Sequence, residues 1–257
     1  MKRLPVIVLV LFVVIGVATA AWAGPALDRI KSAGVLKIGS TVTGVPATFM
    51  DTDSGKVVGI MVDVSQEVAN FLGVKLEVVE TAWAALIPSL QTQKIDLLAA
   101  AMLITPQRQE AIDFSEPVYP YCEALVVKTS DTKPYKNIED LKGLKMGAQV
   151  GTIYIKGLED RGIKDVAVYD NIGDILMEIT NGRIDGTIVD GPVAKWLAKT
   201  KPQFKVRVVE TYVPVLCGNI GIGVNKENKD LLEAVNKAVE KMKKEGKIDQ
   251  ILQKWGQ

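Results

Sequence analysis

Apolar and polar residues alternate along this chain in a pattern that predicts strands and helices in turn. Short apolar runs at 35–39, 75–79 and 95–101 have the length of buried strands, and 95–101 is broad enough to be buried on both faces. Between them lie segments with helical spacing, of which 63–72 is stopped by Gly73. Strands that alternate with helices predict parallel sheets covered by helices.

The same alternation continues to the end of the chain. Further strands are predicted at 124–127, 145–148, 167–169, 186–189 and 220–224, and helices at 84–92, 138–141, after Thr152, 172–180, 192–199 and 229–255. Residues 86–102 and 175–191 share one order of elements, which either marks two lobes of similar build or shows only that such units look alike. Ligands collect at the carboxyl ends of strands in open α/β sheets, and these two segments end near Arg108 and at Asp190.

The segment after the strand at 95–101 contains the first candidate functional residue. Thr105 and Pro106 predict a helix start, because a hydroxyl caps free N–H groups and proline loses nothing at the first helical position. Arg108 then lies in the first turn, where the helix dipole disfavours a cation. Either its side chain reaches water, or it helps the free N–H groups to hold an anion.

The first 23 residues are typical of a secretory signal peptide. Lys2 and Arg3 precede an apolar run at 4–17, and residues 21–23 form a small-x-small cleavage site. No cysteine follows that run, so we expect an exported, soluble protein without a lipid anchor. Removing the two cations leaves 29 basic residues against 30 acidic ones, with no basic block, which indicates neither nucleic acid nor an anionic membrane as a partner.

The chain contains no histidine. This excludes Ser-His and Cys-His nucleophilic pairs and the usual zinc sites, so we expect neither a metal nor a cofactor. An enzyme built on this sequence would work with carboxylates or lysines. About 230 residues remain after the signal peptide, enough for one large or two ordinary domains.

Six stretches of the mature chain resemble, in order, the family 3 extracellular solute-binding proteins, the periplasmic polar amino-acid receptors of ABC importers. They are residues 57–73 (VVGIMVDVSQEVANFLG), 83–98 (WAALIPSLQTQKIDLL), 104–119 (ITPQRQEAIDFSEPVY), 138–152 (IEDLKGLKMGAQVGT), 181–190 (NGRIDGTIVD) and 231–255 (LLEAVNKAVEKMKKEGKIDQILQKW). The resemblance implies an α/β, two-lobed periplasmic-binding-protein fold of type II, with two parallel or mixed sheets, flanking helices and a two-strand hinge.

The same resemblance sets out the domains and partners. Lobe one is expected at 24–118 and 219–257, lobe two at 123–216, and the hinge crossovers at 118–122 and 216–220. It implies a monomeric periplasmic protein that closes on a small carboxylate-bearing solute, in particular an amino acid, and hands it to the transmembrane subunits of an ABC permease.

The resemblance also assigns roles to four residues. Arg108 would hold the ligand's α-carboxylate in a bidentate pair, with Thr152 helping from the other lobe through its N–H and hydroxyl. Asp190 would take the α-ammonium group; its alternative is to cap the helix that begins at Gly191. Trp83 would stack on the ligand side chain, or else belong to the core.

Several positions depart from the family's pattern. Its members usually carry an acidic residue and an aromatic pair in the loop after the first strand, where this chain has Thr41, Gly44 and Ala47, with Phe49 displaced. Leu103 stands where family members usually have a hydroxyl residue, and Ile153 stands where they usually have a threonine. These changes predict a neutral, partly apolar ligand rather than arginine, lysine or histidine. The remaining expected pocket residues are Ala101, Met102 and Gln149.

A second function class remains open, because some relatives on this scaffold are dehydratases of a cyclic amino-acid precursor that use a buried carboxylate. Elimination needs a general acid or base in the pocket. The start of the helix after Thr152 offers no extra acid, and Asp190 already has a binding role, so binding is favoured over cyclohexadienyl dehydratase-like catalysis.

Cys122 and Cys217 are the two cysteines of the chain. By the resemblance each falls at a hinge crossover, and the exported compartment favours oxidation. We expect a disulfide between them that closes a long loop. The alternative is a pair of free, buried thiols that act as small hydrophobes.

Overall fold

The computed structural model describes residues 25–257 of the 257-residue chain, so the predicted signal peptide at 1–23 lies outside the described part. Within that part the strands form two five-stranded sheets and two smaller ones. Each five-stranded sheet packs against its own hydrophobic clusters and helices, so the chain makes two lobes. No helix in residues 25–257 is both long and apolar enough to cross a membrane.

The chain begins in the first lobe. Its strands there are β1 (Val35–Ser40), β2 (Thr43–Gly44), β3 (Thr48–Asp51), β4 (Lys56–Val58), β5 (Lys75–Glu80), β6 (Leu97–Leu98) and β7 (Asp113–Phe114). Its helices are α1 (Ala26–Ala33), α2 (Ile60–Leu72), α3 (Leu86–Gln91) and α4 (Pro106–Ala111), with a 3-10 turn at Trp83–Ala85. Strands β2, β3 and β4 form a separate antiparallel sheet next to β1.

Strand β8 (Tyr119–Tyr121) leads into the second lobe. The strands of this lobe are β9 (Glu123–Lys128), β10 (Met146–Gln149), β11 (Val166–Tyr169), β12 (Gly186–Asp190) and β13 (Val206–Val208). Its helices are α5 (Ile153–Glu159), α6 (Ile172–Asn181) and α7 (Gly191–Thr200), with 3-10 turns at Ile138–Leu141 and Pro202–Phe204. The sheet order is β11-β10-β12-β9-β13, and the pairs made by β9 are antiparallel.

Strand β14 (Gly218–Ile220) returns the chain to the first lobe, where β15 (Gly223–Val224), α8 (Lys229–Lys244) and α9 (Lys247–Lys254) complete it. The order of the main sheet there is β5-β1-β6-β15-β7. Strand β1 runs parallel to β5 and β6, whereas β15 runs antiparallel to β6 and β7. A returning segment therefore supplies one inner strand of a sheet begun more than a hundred residues earlier.

The two crossovers lie side by side. Strands β8 and β14 pair antiparallel, with Tyr121 opposite Gly218, inside the segments predicted as crossovers. The adjacent cysteines, Cys122 and Cys217, form a disulfide with their Cα atoms 4.0 Å apart. The two connections between the lobes are thus held together by backbone pairing and by a covalent bond.

Several predicted elements differ in the structure, and the strand expected at 220–224 is divided between β14 and β15, which lie in different sheets. The stretch at 95–101 is buried throughout, but only Leu97–Leu98 pairs as a strand, because Ala101 has a left-handed φ of 52° that turns the chain away. The helix expected from about residue 63 begins at Ile60. The helix expected at 84–92 begins as the 3-10 turn that holds Trp83. The parallel sheets predicted from the alternation are mixed, because each lobe contains antiparallel strands.

Candidate ligand-binding site between the lobes

A cavity lies between the carboxyl ends of strands from both sheets. It measures about 50 Å³, room for a few water molecules. Ten of the predicted binding residues line it: Thr41, Gly44, Trp83, Ala101, Leu103, Arg108, Gln149, Thr152, Ile153 and Asp190. The first six come from the first lobe and the last four from the second, so the structure brings together residues that are up to 149 positions apart.

Met102 is the exception, because it does not line this cavity. Its side chain is buried in a hydrophobic cluster with Leu98 and Ala100, whereas Ala101 and Leu103 belong to the cluster on the other side. Side chains in an extended segment alternate between faces, so neighbours in sequence point in opposite directions.

Arg108 reaches the cavity from the start of α4. Thr105 caps this helix by accepting a hydrogen bond from the Arg108 N–H at 3.3 Å, and Pro106 occupies its first turn, which confirms the predicted helix start. Arg108 Nη1 donates to the carbonyl oxygen of Leu103 at 2.8 Å, and Nη2 donates to that of Gly151 at 3.2 Å. Burial lowers the pKa of Arg108 from its usual range, while Tyr121 and the carboxylate of Asp190 oppose that change.

Trp83 forms part of the wall beside Arg108. The guanidinium carbon of Arg108 lies 5.5 Å from the centre of the indole ring. A Cβ atom added to Gly151, which has a φ of 75°, would lie 3.4 Å from Cδ1 of Trp83. Glycine at this position therefore serves both the turn before α5 and the close approach of the two lobes.

Asp190 ends β12 in the second lobe. It occupies the N-cap position of α7 but makes no capping hydrogen bond through its side chain, so the capping interpretation is wrong. The hydroxyl of Tyr154 donates to Oδ1 of its carboxylate instead, and the hydroxyl of Tyr121 lies nearby and donates to the carbonyl oxygen of Ala101. Burial raises the pKa of Asp190, and these two hydroxyls together with Arg108 limit that rise.

Thr152 lies at the N-terminus of α5, as predicted, but its donors point elsewhere. Its backbone N–H and its hydroxyl both donate to the carbonyl oxygen of Gln149, at 3.2 and 2.7 Å. The amide of Gln149 donates in turn to the carbonyl oxygen of Asp170 at 3.0 Å. These bonds fix the turn that carries Gly151, and they occupy the donors that the sequence assigns to a ligand.

The loop after β1 closes the cavity on the side of the first lobe. Thr41 is buried, and its hydroxyl is 2.8 Å from that of Thr48, so the two side chains satisfy each other. Phe49 does not line the cavity. Its ring packs edge-on against Trp255, 5.5 Å between centroids, and lies 6.5 Å from the ring of Trp196 on the second lobe.

Two aromatic residues of the cavity, Tyr121 and Tyr154, are not among those expected from the sequence. Tyr121 comes from β8, and its hydroxyl also lies 3.3 Å from the carbonyl oxygen of Ala101. Tyr154 comes from the first turn of α5 and is almost fully buried. A buried phenol needs a hydrogen-bond partner, so a tyrosine next to a candidate residue in the sequence is the signal that could have identified these two pocket residues.

The walls of the cavity are unequal in character. Among the described residues that line it, Arg108 and Asp190 are the charged ones, one from each lobe. The second lobe adds an apolar wall from β12, α6 and α7, formed by Ile172, Ile175, Ile188, Val189 and Val193. Within residues 25–257 no group of three or more metal-binding side chains occurs. The arrangement therefore offers one cationic and one anionic contact next to an apolar surface.

Two α/β lobes, two paired crossovers and a cavity lined from both sides define a two-lobed solute-binding protein. The model of the bacterial extracellular solute-binding proteins, family 3, matches residues 36–257. The chain belongs to this family, which confirms the resemblance seen in the sequence.

Relatives with assigned ligands agree with this placement. The chain is 32% identical to the L-cystine-binding protein TcyJ of Escherichia coli (strain K12) over 231 residues, which cover 89% of this chain and 85% of that protein. It is 33% identical to the ABC transporter arginine-binding protein 1 of the same strain over 219 residues, 82% of this chain and 88% of that one.

A solved structure supports the fold over the same length. The crystal structure of the ancestral amino acid-binding protein AncCDT-1, a precursor of cyclohexadienyl dehydratase, superposes with a TM-score of 0.81. It is 32% identical in sequence and covers 91% of this chain and all of that one. The predicted fold class, a type II periplasmic-binding-protein fold, is thereby confirmed.

Proposed function

We propose that this chain is the periplasmic substrate-binding component of an ABC importer and that it captures a neutral α-amino acid between its lobes. It is exported by the signal peptide at 1–23, acts as a monomer and delivers its ligand to the permease subunits in the membrane. The observation that carries the proposal is the placement of Arg108 and Asp190 on opposite walls of one cavity.

Arg108 binds the ligand's α-carboxylate in this proposal. Its guanidinium group is oriented by the carbonyl oxygens of Leu103 and Gly151, which leaves further N–H groups to pair with a carboxylate in its plane. The aromatic face of Trp83 limits the directions from which a ligand can approach it. A planar fork that is already fixed loses little conformational entropy on binding.

Asp190 binds the α-ammonium group. A buried carboxylate is costly unless a cation or several donors compensate it. Tyr154 supplies one donor, and Arg108 supplies a cation at a distance. A ligand ammonium adds the missing direct partner, and the carbonyl oxygen of Ala101 is a second acceptor near it.

The ligand side chain is neutral because the cavity holds no second carboxylate among its described lining residues. Asp190 is engaged with the α-ammonium, so a guanidinium or ammonium side chain would be buried without an acidic partner. The apolar wall from α6 and α7 fits aliphatic or sulfur-containing side chains. Of the two relatives' ligands, arginine fails this condition, whereas cystine has no net charge but carries a second ammonium and a second carboxylate on its far half.

Binding proceeds by hinge closure. We assign lobe one to 24–118 with 219–257, lobe two to 123–216, and the hinge to 118–122 and 216–220. Because both lobes line the cavity, separating them gives a ligand access to the walls on either side. Closure after entry buries the ligand against both lobes, which is the step a permease would recognise.

Catalysis is the second candidate, since the matched ancestral protein is a precursor of a dehydratase. Elimination needs an acid or base beside the reacting carbon. Asp190 is the one carboxylate among the described lining residues, and the hydroxyl of Tyr154 already holds it. Binding accounts for that arrangement without a further group, and the matched protein is itself described as an amino acid-binding protein.

Native mass spectrometry of protein purified without unfolding tests the proposal. We expect one neutral amino acid per chain in the wild-type protein, and none in Arg108→Ala prepared in parallel. A co-purifying sugar, peptide or amino acid with a cationic side chain would refute the assignment.

A further inference from the structure

We propose that Tyr154 is a positioning residue that holds Asp190 in the orientation needed for the ligand's ammonium group. This inference rests on the proposed function, and it adds a residue that sets how well the site distinguishes an amino acid from the same acid without its amino group.

The first observation is the contact itself. The hydroxyl of Tyr154 donates to Oδ1 of Asp190, across 36 positions of sequence. Tyr154 belongs to α5, whereas Asp190 ends β12, so the bond joins a helix to the sheet that it covers. With Oδ1 engaged, Oδ2 is the oxygen left to accept from a ligand.

The second observation is how firmly the phenol is held. Tyr154 is 3% exposed and packs in the hydrophobic cluster that contains Leu125, Leu158 and Ile188. Because packing fixes the ring, the Tyr154 hydroxyl cannot move with the Asp190 carboxylate if that group rotates. The hydrogen bond therefore favours one orientation of the carboxylate. A site held by packed neighbours in this way is preorganised for its ligand.

The third observation is that several other ionisable side chains surround Asp190. Arg108 faces it from α4, Tyr119 and Tyr121 face it from β8, and Glu123 is its partner in the ladder between β12 and β9. Like charges directly opposite in a ladder repel each other.

Glu123 is compensated separately. It accepts from the hydroxyl of Tyr212 at 3.0 Å and from the N–H groups of Val215 and Leu216 at 2.8 Å each. These donors belong to Glu123 alone. Tyr154 therefore donates a hydrogen bond to Asp190, just as Tyr212, Val215 and Leu216 donate to Glu123. Each of the two neighbouring carboxylates has its own donors.

The test is Tyr154→Phe, which keeps the ring and removes the hydroxyl. A hydrogen bond to a charged group changes affinity by about 10- to 100-fold, so we expect a loss of that size for a bound amino acid. The matched control is Tyr135→Phe. Tyr135 lies in the same cluster, and its hydroxyl donates to Asp131 at 2.8 Å, but it does not line the cavity.

Titration calorimetry would use the member of a panel of L-cystine, L-glutamine, L-methionine and L-leucine that binds most tightly. Its analogue without the amino group serves as the second ligand. We expect Tyr154→Phe to weaken the amino acid at least about tenfold and the analogue less than about threefold. Tyr135→Phe should change neither.

The pH profile separates positioning from a general loss of structure. Only ionised Asp190 pairs with an ammonium, so affinity falls as the pH drops through the pKa of Asp190 in the free protein. Loss of a donor raises that pKa, so the fall begins at higher pH in Tyr154→Phe. A role confined to packing would leave the midpoint where it is in the wild-type protein.

Unmodified protein provides a check that does not depend on the variant folding. With ¹³C-labelled tyrosine, the Cζ signal of Tyr154 should shift when the pH protonates Asp190 and again when the amino acid binds. A Cζ signal that shifts neither on protonation of Asp190 nor on binding of the amino acid overturns the proposal. So does Tyr154→Phe with affinity within threefold of wild type and an unchanged midpoint, whereas a wild-type protein that binds no amino acid refutes the proposed function itself.

Discussion

Nη2 of Arg108 in the first lobe donates a hydrogen bond to the carbonyl oxygen of Gly151 in the second lobe, at 3.2 Å. The residue proposed to hold the ligand's carboxylate therefore also contacts the opposite lobe. Because Gly151 precedes α5, this bond can form only when the lobes are close together. In the proposed function, ligand binding and closure are therefore linked through one guanidinium group.

We expect Arg108→Ala to abolish useful affinity. A ligand carboxylate left buried without its cation costs roughly 3–5 kcal/mol. That corresponds to about 100- to 4000-fold in dissociation constant. Titration calorimetry with the co-purified amino acid measures it, and Arg183→Ala is the control, because Arg183 is exposed and pairs with Glu178 instead. A change below about threefold for Arg108→Ala would refute the carboxylate assignment.

The absence of an acidic residue at position 41 should make the site prefer neutral amino acids to cationic ones. In a thermal-shift screen we expect neutral amino acids to stabilise the wild-type protein more than arginine or lysine. Thr41→Asp places a carboxylate in the cavity wall at nearly the same volume, and we expect it to move the preference toward cationic side chains. Arginine or lysine as the strongest stabiliser of the wild-type protein would contradict this prediction.

Closure should be visible in solution. The rings of Phe49 and Trp196 approach to 6.5 Å across the two lobes, and Arg108 hydrogen-bonds to Gly151, so the structure represents a closed arrangement. We expect the free protein to populate a more open form, and the ligand to favour the closed one by binding both lobes. Small-angle scattering should give a smaller radius of gyration with saturating ligand. An identical radius with and without ligand would argue against a moving hinge.

The disulfide between Cys122 and Cys217 should stabilise the fold with little effect on binding. It closes a loop of 95 residues, for which chain entropy gives roughly 4–5 kcal/mol. We expect the Cys122→Ser, Cys217→Ser double variant to unfold at lower temperature but to bind within about threefold of wild type, because the bond lies between the two crossovers. Thiol titration in denaturant without reductant checks the bond itself, and two free thiols per chain would disprove it.

Arg108 and Asp190 could be located from the sequence because they lie at ends of elements, whereas Trp83, Thr152 and the other expected pocket residues came from the family resemblance. Thr105 and Pro106 mark a helix start, and this placed Arg108 beside the end of a buried strand. Asp190 follows a second buried strand and was located in the same way. Such positions depend on local signals, namely caps, prolines and apolar runs, which a single sequence displays.

The remaining features depend on contacts between distant parts of the chain. Tyr154 is adjacent to a predicted residue, but its partner is 36 positions away, and nothing local indicates that bond. Met102 packs with Leu98 and Ala100, because side chains in this segment alternate between two hydrophobic clusters. The antiparallel strand β15 arises from a return to the first lobe, which alternation alone does not reveal.

The central claim is that the site recognises both charged groups of a neutral α-amino acid. Titration calorimetry should compare that amino acid with two analogues, the acid without its amino group and the amine without its carboxyl group. We expect both analogues to bind at least about 100-fold more weakly, since each leaves Asp190 or Arg108 without its partner in a closed cavity. Either analogue binding within about threefold of the amino acid would contradict the account.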